Sequence, residues 1–245
     1  MNGLRLMQWA ARVLLALTVL LVALTALRWL AQRAWFNFPR IEVHGELQHV
    51  SGASLRAAVA GRLAGNFFTM RLDDTRRAFE SVPWVARASV RRIWPNRLVV
   101  TLTEQRALGL WSDGRLLSDA GVLFVANPDE AESDGPLIDF AGPAQYARDA
   151  VRRYQFASAV LTPLALRVTA VDVSDRASWS LQTQQIASSA RGPRLELGRD
   201  EPPGRAQERL QAIAVNYPLV VAQLNAVPLL LDARYGNGFA ARARQ

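Results

Sequence analysis

Residues Val13 to Leu27 read VLLALTVLLVALTAL, fifteen residues without charge or proline, closed by Arg12 and Arg28. No other stretch constrains the fold as strongly, because such a run must lie in a protein core or in a bilayer. A spanning helix needs about 20 mostly apolar residues to cross roughly 30 Å of hydrocarbon. At about 1.5 Å per residue the uncharged run covers only some 22 Å. Trp9, Ala10 and Ala11 extend it on one side, and Trp29, Leu30 and Ala31 on the other. Arg12 and Arg28 can snorkel to the headgroups. Trp9, Trp29 and Trp35 stand where interfacial aromatics stand. A core helix would carry a polar stripe, yet Thr18 and Thr25 are the only polar residues of the run. A signal peptide would place small residues soon after it, but the chain continues Leu27-Arg28-Trp29-Leu30. The expectation is an uncleaved anchor over residues 13–31 behind a short head of residues 1–12. Its direction stays open: Arg5 and Arg12 precede the run and Arg28, Arg33 and Arg40 follow it, so the positive-inside balance is nearly even.

Charge sharpens this picture. There are 29 basic residues, every one an arginine, against 21 acidic ones. Residues 1–40 hold five arginines and no acid; residues 41–106 hold ten against six; residues 107–245 hold fourteen against fifteen. The surplus therefore lies beside the anchor, where anionic headgroups can meet it, and not on one face of a nucleic-acid-binding domain. Cysteine is absent, which excludes disulfides, zinc thiolate sites and cysteine nucleophiles.

After the anchor, residues 38–45 (FPRIEVHG) alternate around Ile41 and Val43 as a short strand. Ser51 or Ser54 can cap a helix with Leu55, Val59 and Leu63 at helical spacing and Gly65 as its stop. Asp73 or Asp74 caps a second helix, which Pro83 ends. Two alternating runs follow, 85–92 and 97–104, with Ile93-Trp94-Pro95-Asn96 as a turn carrying its own apolar plug. Strand, helix, helix, strand, strand within about seventy residues suits two helices on one face of a three-stranded sheet. Beyond Glu104 come short strands with turn signals. Residues 107–111 and 115–117 flank Ser112-Asp113-Gly114, a hairpin turn, and 122–126 follow. The stretch 127–136 (NPDEAESDGP) reads as an exposed loop. Helices are expected over 148–161, with Tyr154 and Phe156 partly buried, and over 205–225, with Pro218 as a kink. Strands are expected over 167–173, 179–183, 194–197, 229–233 and 238–241. The fold class is α+β: a single transmembrane helix, a small β-α-α-β-β domain, then a mixed, mainly antiparallel β domain.

The run WVARASVRRIWPNRLVVTLTE (84–104) resembles the end of the POTRA domain of FtsQ/DivIB-type bacterial cell-division proteins. The resemblance rests on Pro83-Trp84-Val85, Ser89-Val90-Arg91-Arg92, Trp94-Pro95, Glu104 and the earlier Gly65-Asn66-Phe67-Phe68. Trp111, Gly121 and Phe124 resemble the start of that family's second domain; Trp179, Leu195 to Arg199 (LELGR) and Arg234-Tyr235 resemble its end. The chain departs from the pattern in a short head, an insertion over 184–193, and Ala233 where leucine is common. The resemblance implies residues 1–12 as a cytoplasmic head, 13–31 as the inner-membrane helix, 32–106 as a periplasmic linker and POTRA domain (core about 38–106), and 107–245 as a C-terminal β domain. It also implies a non-enzymatic scaffold at the division septum. The implied partners are FtsB- and FtsL-type bitopic proteins, with contacts to an FtsK-type translocase and a septal peptidoglycan synthase; membrane lipid is a further partner and nucleic acid is not. No cofactor is implied.

The expected binding site is the last strand, because a sheet edge leaves N–H and C=O groups for an incoming strand. Carried over by motif, Arg199 and Arg234 would pair with acidic partner residues, Tyr235 would be an aromatic anchor, and Asn237 and Gly238 would offer backbone. On residues alone, Arg234 and Tyr235 blunt an edge and Gly236-Asn237-Gly238 is a plain turn. Trp84, Trp94 and Phe67-Phe68 are expected in the core of the small domain, and Arg91-Arg92 at a solvent-facing strand end, which the resemblance puts near surfaces used by other division proteins. Competing readings are an envelope enzyme such as a peptidoglycan hydrolase, a POTRA-containing envelope assembly or secretion factor acting as a periplasmic chaperone, and a nucleic-acid binder. The first needs Glu42, His44, Glu46 and His49 to converge on a metal; otherwise both histidines are mobile surface residues.

Overall fold

The computed structural model describes residues 2–31, 40–62, 67, 69–235 and 238–243. The chain forms two compact units, Met1–Glu104 and Gln105–Gln245.

The first unit opens with α1 (Asn2–Ala31). Within it Met7–Trp29, 23 residues, is long and apolar enough to cross a membrane; at about 1.5 Å per residue it spans roughly 34 Å. The Thr18 hydroxyl donates to the Leu14 carbonyl and that of Thr25 to Leu21, each at 2.9 Å. The two polar side chains of the run are thus satisfied within the helix, as a hydrocarbon setting requires.

Next come β1 (Arg40–His44), α2 (Gly52–Val59), α3 (Leu72–Glu80), β2 (Val85–Ile93) and β3 (Arg97–Glu104). The sheet order is β1-β3-β2, with β1 parallel and β2 antiparallel to the central β3. Central placement explains the apolar density of β3, whose Leu98, Val99, Val100 and Leu102 are all buried. Ser51 caps α2, accepting from the Ser54 amide at 3.0 Å. The helix ends at Val59; Gly65, its expected stop, lies outside the described residues, as do Asn66, Phe68 and the first two residues of the 38–45 strand.

Three expectations for this unit are corrected. Asp73 and Asp74 do not cap α3: Arg71 stands at the N-cap without a side-chain bond. The acids lie in the first turn, where the helix dipole favours them, and Asp74 is held by Arg71 at 3.2 Å and by Arg77. Trp94 is not core but 73% exposed, in the turn that joins β2 to β3. His49 is not a mobile surface group: its ring stacks on buried Trp84 at 4.1 Å. Trp84 adopts a left-handed backbone, φ +71, at a cost of about 1–2 kcal/mol that its burial offsets. Phe67 is half-buried beneath the Arg92 guanidinium.

The second unit contains β4 (Ala107–Trp111), β5 (Leu116–Ser118), β6 (Leu123–Phe124), α4 (Pro128–Glu132), β7 (Ile138–Ala141), α5 (Ala147–Leu161), β8 (Leu166–Val173), β9 (Ser178–Gln185), β10 (Arg191–Arg199), α6 (Arg205–Leu224), β11 (Leu230–Asp232) and β12 (Ala240–Arg242). They build one nine-stranded sheet, β12-β11-β10-β9-β8-β7-β4-β5-β6. Pairings are antiparallel except β4–β7, β7–β8 and β10–β11. The acidic stretch is not simply a loop: Asn127 accepts from the Asp129 amide at 3.1 Å and caps α4, which Ala131 pins by its burial. β7 was illegible as a strand because only four residues form it, yet Ile138 and Phe140 bury one face. Helix α5 packs on β8, α6 on β10, and the two helices touch. Between the helices and the sheet pack Trp111, Phe140, Trp179, Leu181 and Leu195 with Leu210 and Ile213 of α6; burying a Leu, Ile or Phe side chain is worth about 1.5–3 kcal/mol. Pro218 lies inside α6, which continues to Leu224, and having no N–H it donates nothing to the Ala214 carbonyl one turn earlier.

Candidate functional site

The sheet ends at β12. It pairs on one side with β11, in the register Leu230↔Arg242, Leu231↔Ala241 and Asp232↔Ala240, and among the described residues has no strand on the other. All three of its residues are exposed. An edge this short, with alanine at two of its three positions, offers backbone without side-chain obstruction.

Beside the edge the chain assembles a cluster of arginines. At Gly198 β10 bulges against β9 and takes a left-handed conformation, φ +74. That turn brings the Leu197 and Arg199 carbonyls onto one group, the Arg209 guanidinium of α6, whose Nη1 donates to them at 2.7 and 3.1 Å. A Cβ at 198 would stand 3.0 Å from Arg209 Nη1 and 3.1 Å from Arg234 Cγ, so the glycine is what lets both arginines close on the strand. The Arg209 Nε is buried without a hydrogen-bond partner.

Arg234 is not free, as the motif alone suggests. Its Nε and Nη2 reach Asp232 Oδ1 and Oδ2 at 2.8 and 2.6 Å, and its amide donates to Oδ1 at 3.0 Å. The hydrogen bonds from Arg234 hold the Asp232 carboxyl below its ordinary value against the opposing effect of burial, and the same side-chain bond raises Arg234. Two of the five guanidinium donors are used, which leaves three for a further carboxylate. Asp232 thus orients an arginine whose side chain remains 57% exposed.

Two hollows adjoin at Arg209. The larger, about 430 Å³, is lined by Arg176, Arg199, Arg209 and Arg234 with Glu201 as its single carboxylate. The smaller, about 190 Å³, lies against Tyr235, Gly238, Phe239 and Ala212. Arg199 and Arg234 therefore share one hollow, and Tyr235 and Gly238 the next; Tyr235 is 60% exposed. Asn237 lies outside the described residues. Arg209, Arg176 and Asp232 were missed from sequence. Asp232 carried a signal, since residues two apart on an extended chain share a side and an acid there faces Arg234. Arg209 carried none: only the fold sets α6 beside Gly198.

The alternative cluster does not assemble. His44 Nε2 lies 4.0 Å from Glu42 and His49 Nδ1 3.7 Å from Glu104. Among the described residues no three of His, Cys, Asp and Glu gather to hold a metal ion.

Comparison with known proteins agrees with this architecture. Residues 36–105 match the family described as POTRA domain, FtsQ-type, and residues 109–234 match cell division protein FtsQ/DivIB, C-terminal. The chain is 38% identical to the cell division protein FtsQ of Burkholderia pseudomallei, over 99% of this chain and 94% of that protein. It is 36% identical to that of Bordetella pertussis over 98% and 91%. Nitrosospira multiformis has a further relative, 36% identical over 83% of each chain. With both domains matched in order and the similarity running nearly end to end, the chain belongs to the FtsQ/DivIB family of cell-division proteins.

Proposed function

We propose that this protein is a membrane-anchored scaffold of the division machinery that binds an FtsB-type bitopic protein by strand addition at β12, with an FtsL-type protein in the same assembly. The head lies in the cytoplasm and both soluble units in the periplasm at the septum. From there they link an FtsK-type translocase, earlier in assembly, to the septal peptidoglycan synthase. Its work is binding and not catalysis. The observation that carries this reading is the open backbone of β12 next to the Arg199 and Arg234 hollow and exposed Tyr235. Main-chain pairing supplies affinity in such a mode and flanking side chains supply specificity. An acidic partner segment fits a hollow with four arginines and one carboxylate.

The test is calorimetric titration of the purified chain with an FtsB-type periplasmic segment from the same organism. Arg199→Glu or Tyr235→Ala should weaken binding by about tenfold or more, and removal of residues 239–245 should abolish it, with the circular dichroism spectrum unchanged. Affinity unaltered by all three changes would move the interface elsewhere on the molecule.

A further inference from the structure

The β2–β3 hairpin tip is unexplained by the reading above. Trp94 there is 73% exposed, more than Trp9 (71%) and Trp29 (59%) at the two ends of the membrane-length helix. An indole left in water at a hairpin tip is poorly placed for a soluble surface and well placed for a headgroup layer, where its apolar ring and its N–H are both satisfied. Residues 87–97 contain Arg87, Arg91, Arg92 and Arg97 and no acidic residue. Arg92 is turned inward onto the Met70 carbonyl and the Phe67 ring. Arg91 and Arg97 remain exposed, and among the described residues the opposing charge is Glu42, 3.6 Å from Arg97.

The sheet register sets where this tip points. Ile93 pairs with Arg97 to close the hairpin, and Arg97 pairs with Arg40, the first residue of β1. The tip therefore lies at the end of the sheet where the chain arrives from α1. Helix α1 ends at Ala31 and β1 begins at Arg40. Nine residue steps at about 3.3–3.6 Å reach at most about 32 Å, and neighbouring strands are only about 4.8 Å apart. The covalent tether thus keeps the hairpin tip close to the leaflet from which α1 emerges, whichever way the helix is oriented.

We infer that the β2–β3 tip is a second membrane contact: Trp94 seats among the headgroups of that leaflet, and Arg91 and Arg97 bind anionic lipid phosphates. Two contacts, helix and tip, hold the first unit at a defined tilt instead of letting it swing on its tether. The inference rests on α1 spanning the bilayer, and the experiment separates the two.

Because the chain has no cysteine, single cysteines can be placed by Trp94→Cys, Val22→Cys and Ser188→Cys in the full chain, labelled with an environment-sensitive NBD fluorophore and reconstituted into vesicles of phosphatidylethanolamine and phosphatidylglycerol. Quenching is read with nitroxides at the headgroup and at mid-chain. The Val22 probe should be quenched from mid-chain. The Trp94 probe should be quenched by headgroup nitroxide about twofold or more over the Ser188 probe. Arg91→Glu with Arg97→Glu, or phosphatidylcholine vesicles, should reduce that difference. If the Val22 probe is quenched and the Trp94 probe matches the Ser188 probe, the tip faces water or protein and the inference fails alone. If the Val22 probe is not quenched, the anchor fails and the inference with it. Headgroup quenching indifferent to charge reversal and to lipid charge would overturn the role given to the arginines.

Discussion

Glu104 ends β3 with its carboxylate turned back over the loop after β1. It accepts from the amides of Gln48, His49 and Val50 at 2.7, 2.8 and 2.9 Å. One side chain thus closes three backbone donors that no strand or helix satisfies, and it fixes His49 against Trp84. Its place in the sequence motif follows from this work, which a neutral or shorter residue cannot do. Glu104→Leu leaves the amides without an acceptor, and the expected cost is about 3–5 kcal/mol. For a unit of this size the melting temperature should fall by more than about 10 °C, measurable by scanning calorimetry of the detergent-solubilised chain. A change of only a degree or two would mean that water replaces the carboxylate.

Among the elements, α6 decides how the β12 edge of the sheet is built, because it is the crossover between β10 and β11, and Arg209 rides on it. Its start is secured by Asp200, which accepts from the Ala206 amide at 2.9 Å and from Arg153 Nη2 at 2.6 Å. Arg153 in turn lies 4.2 Å above the Trp179 ring. Burial pushes the Asp200 carboxyl up, but the Ala206 amide and the Arg153 guanidinium outweigh it, so the carboxyl sits below its ordinary value. A carboxyl depressed in the folded state contributes stability above its unfolded pKa, near 4, and loses it as pH falls through the folded value. Asp200→Ala should therefore destabilise the protein by about 1–2 kcal/mol at neutral pH. The difference between variant and parent in urea unfolding should shrink as the pH falls below the unfolded carboxyl value, near 4. A difference that stays constant with pH would assign the effect to packing.

At the scale of the whole molecule, α1 contains a stretch long and apolar enough to cross a membrane. Its described side chains from Met7 to Trp29 are exposed, so it finds no cover in the first unit. An apolar helix of that length without protein cover is compatible with a single-pass anchor in lipid. The full chain should stay with membranes through alkaline carbonate extraction, whereas a chain beginning at residue 32 should be released without detergent. Release of the full chain by carbonate would remove the anchor, and with it the reason for the arginine surplus of residues 1–40.

Some of this is legible in the sequence. Periodicity and turn chemistry place β2, β3, β8, β9, α5 and α6 to within a few residues, because each is long enough to show its period. The anchor is legible from length and the absence of charge. The motif residues point to the family, and the comparisons agree. What the sequence could not show is what depends on neighbours distant along the chain. β7 is too short to declare itself and exists through pairing with β4 and β8. Trp94 and Trp84 are the same residue type ten positions apart, and only the sheet puts one in the core and the other at an exposed tip. The site residues follow the same division. Arg199, Arg234 and Tyr235 could be named from a motif and Asp232 from its place two residues before Arg234, whereas Arg209, which holds the strand carbonyls, became visible only when α6 came to rest beside Gly198. Local pattern is written in consecutive residues; the partner of a buried charge is chosen by the fold.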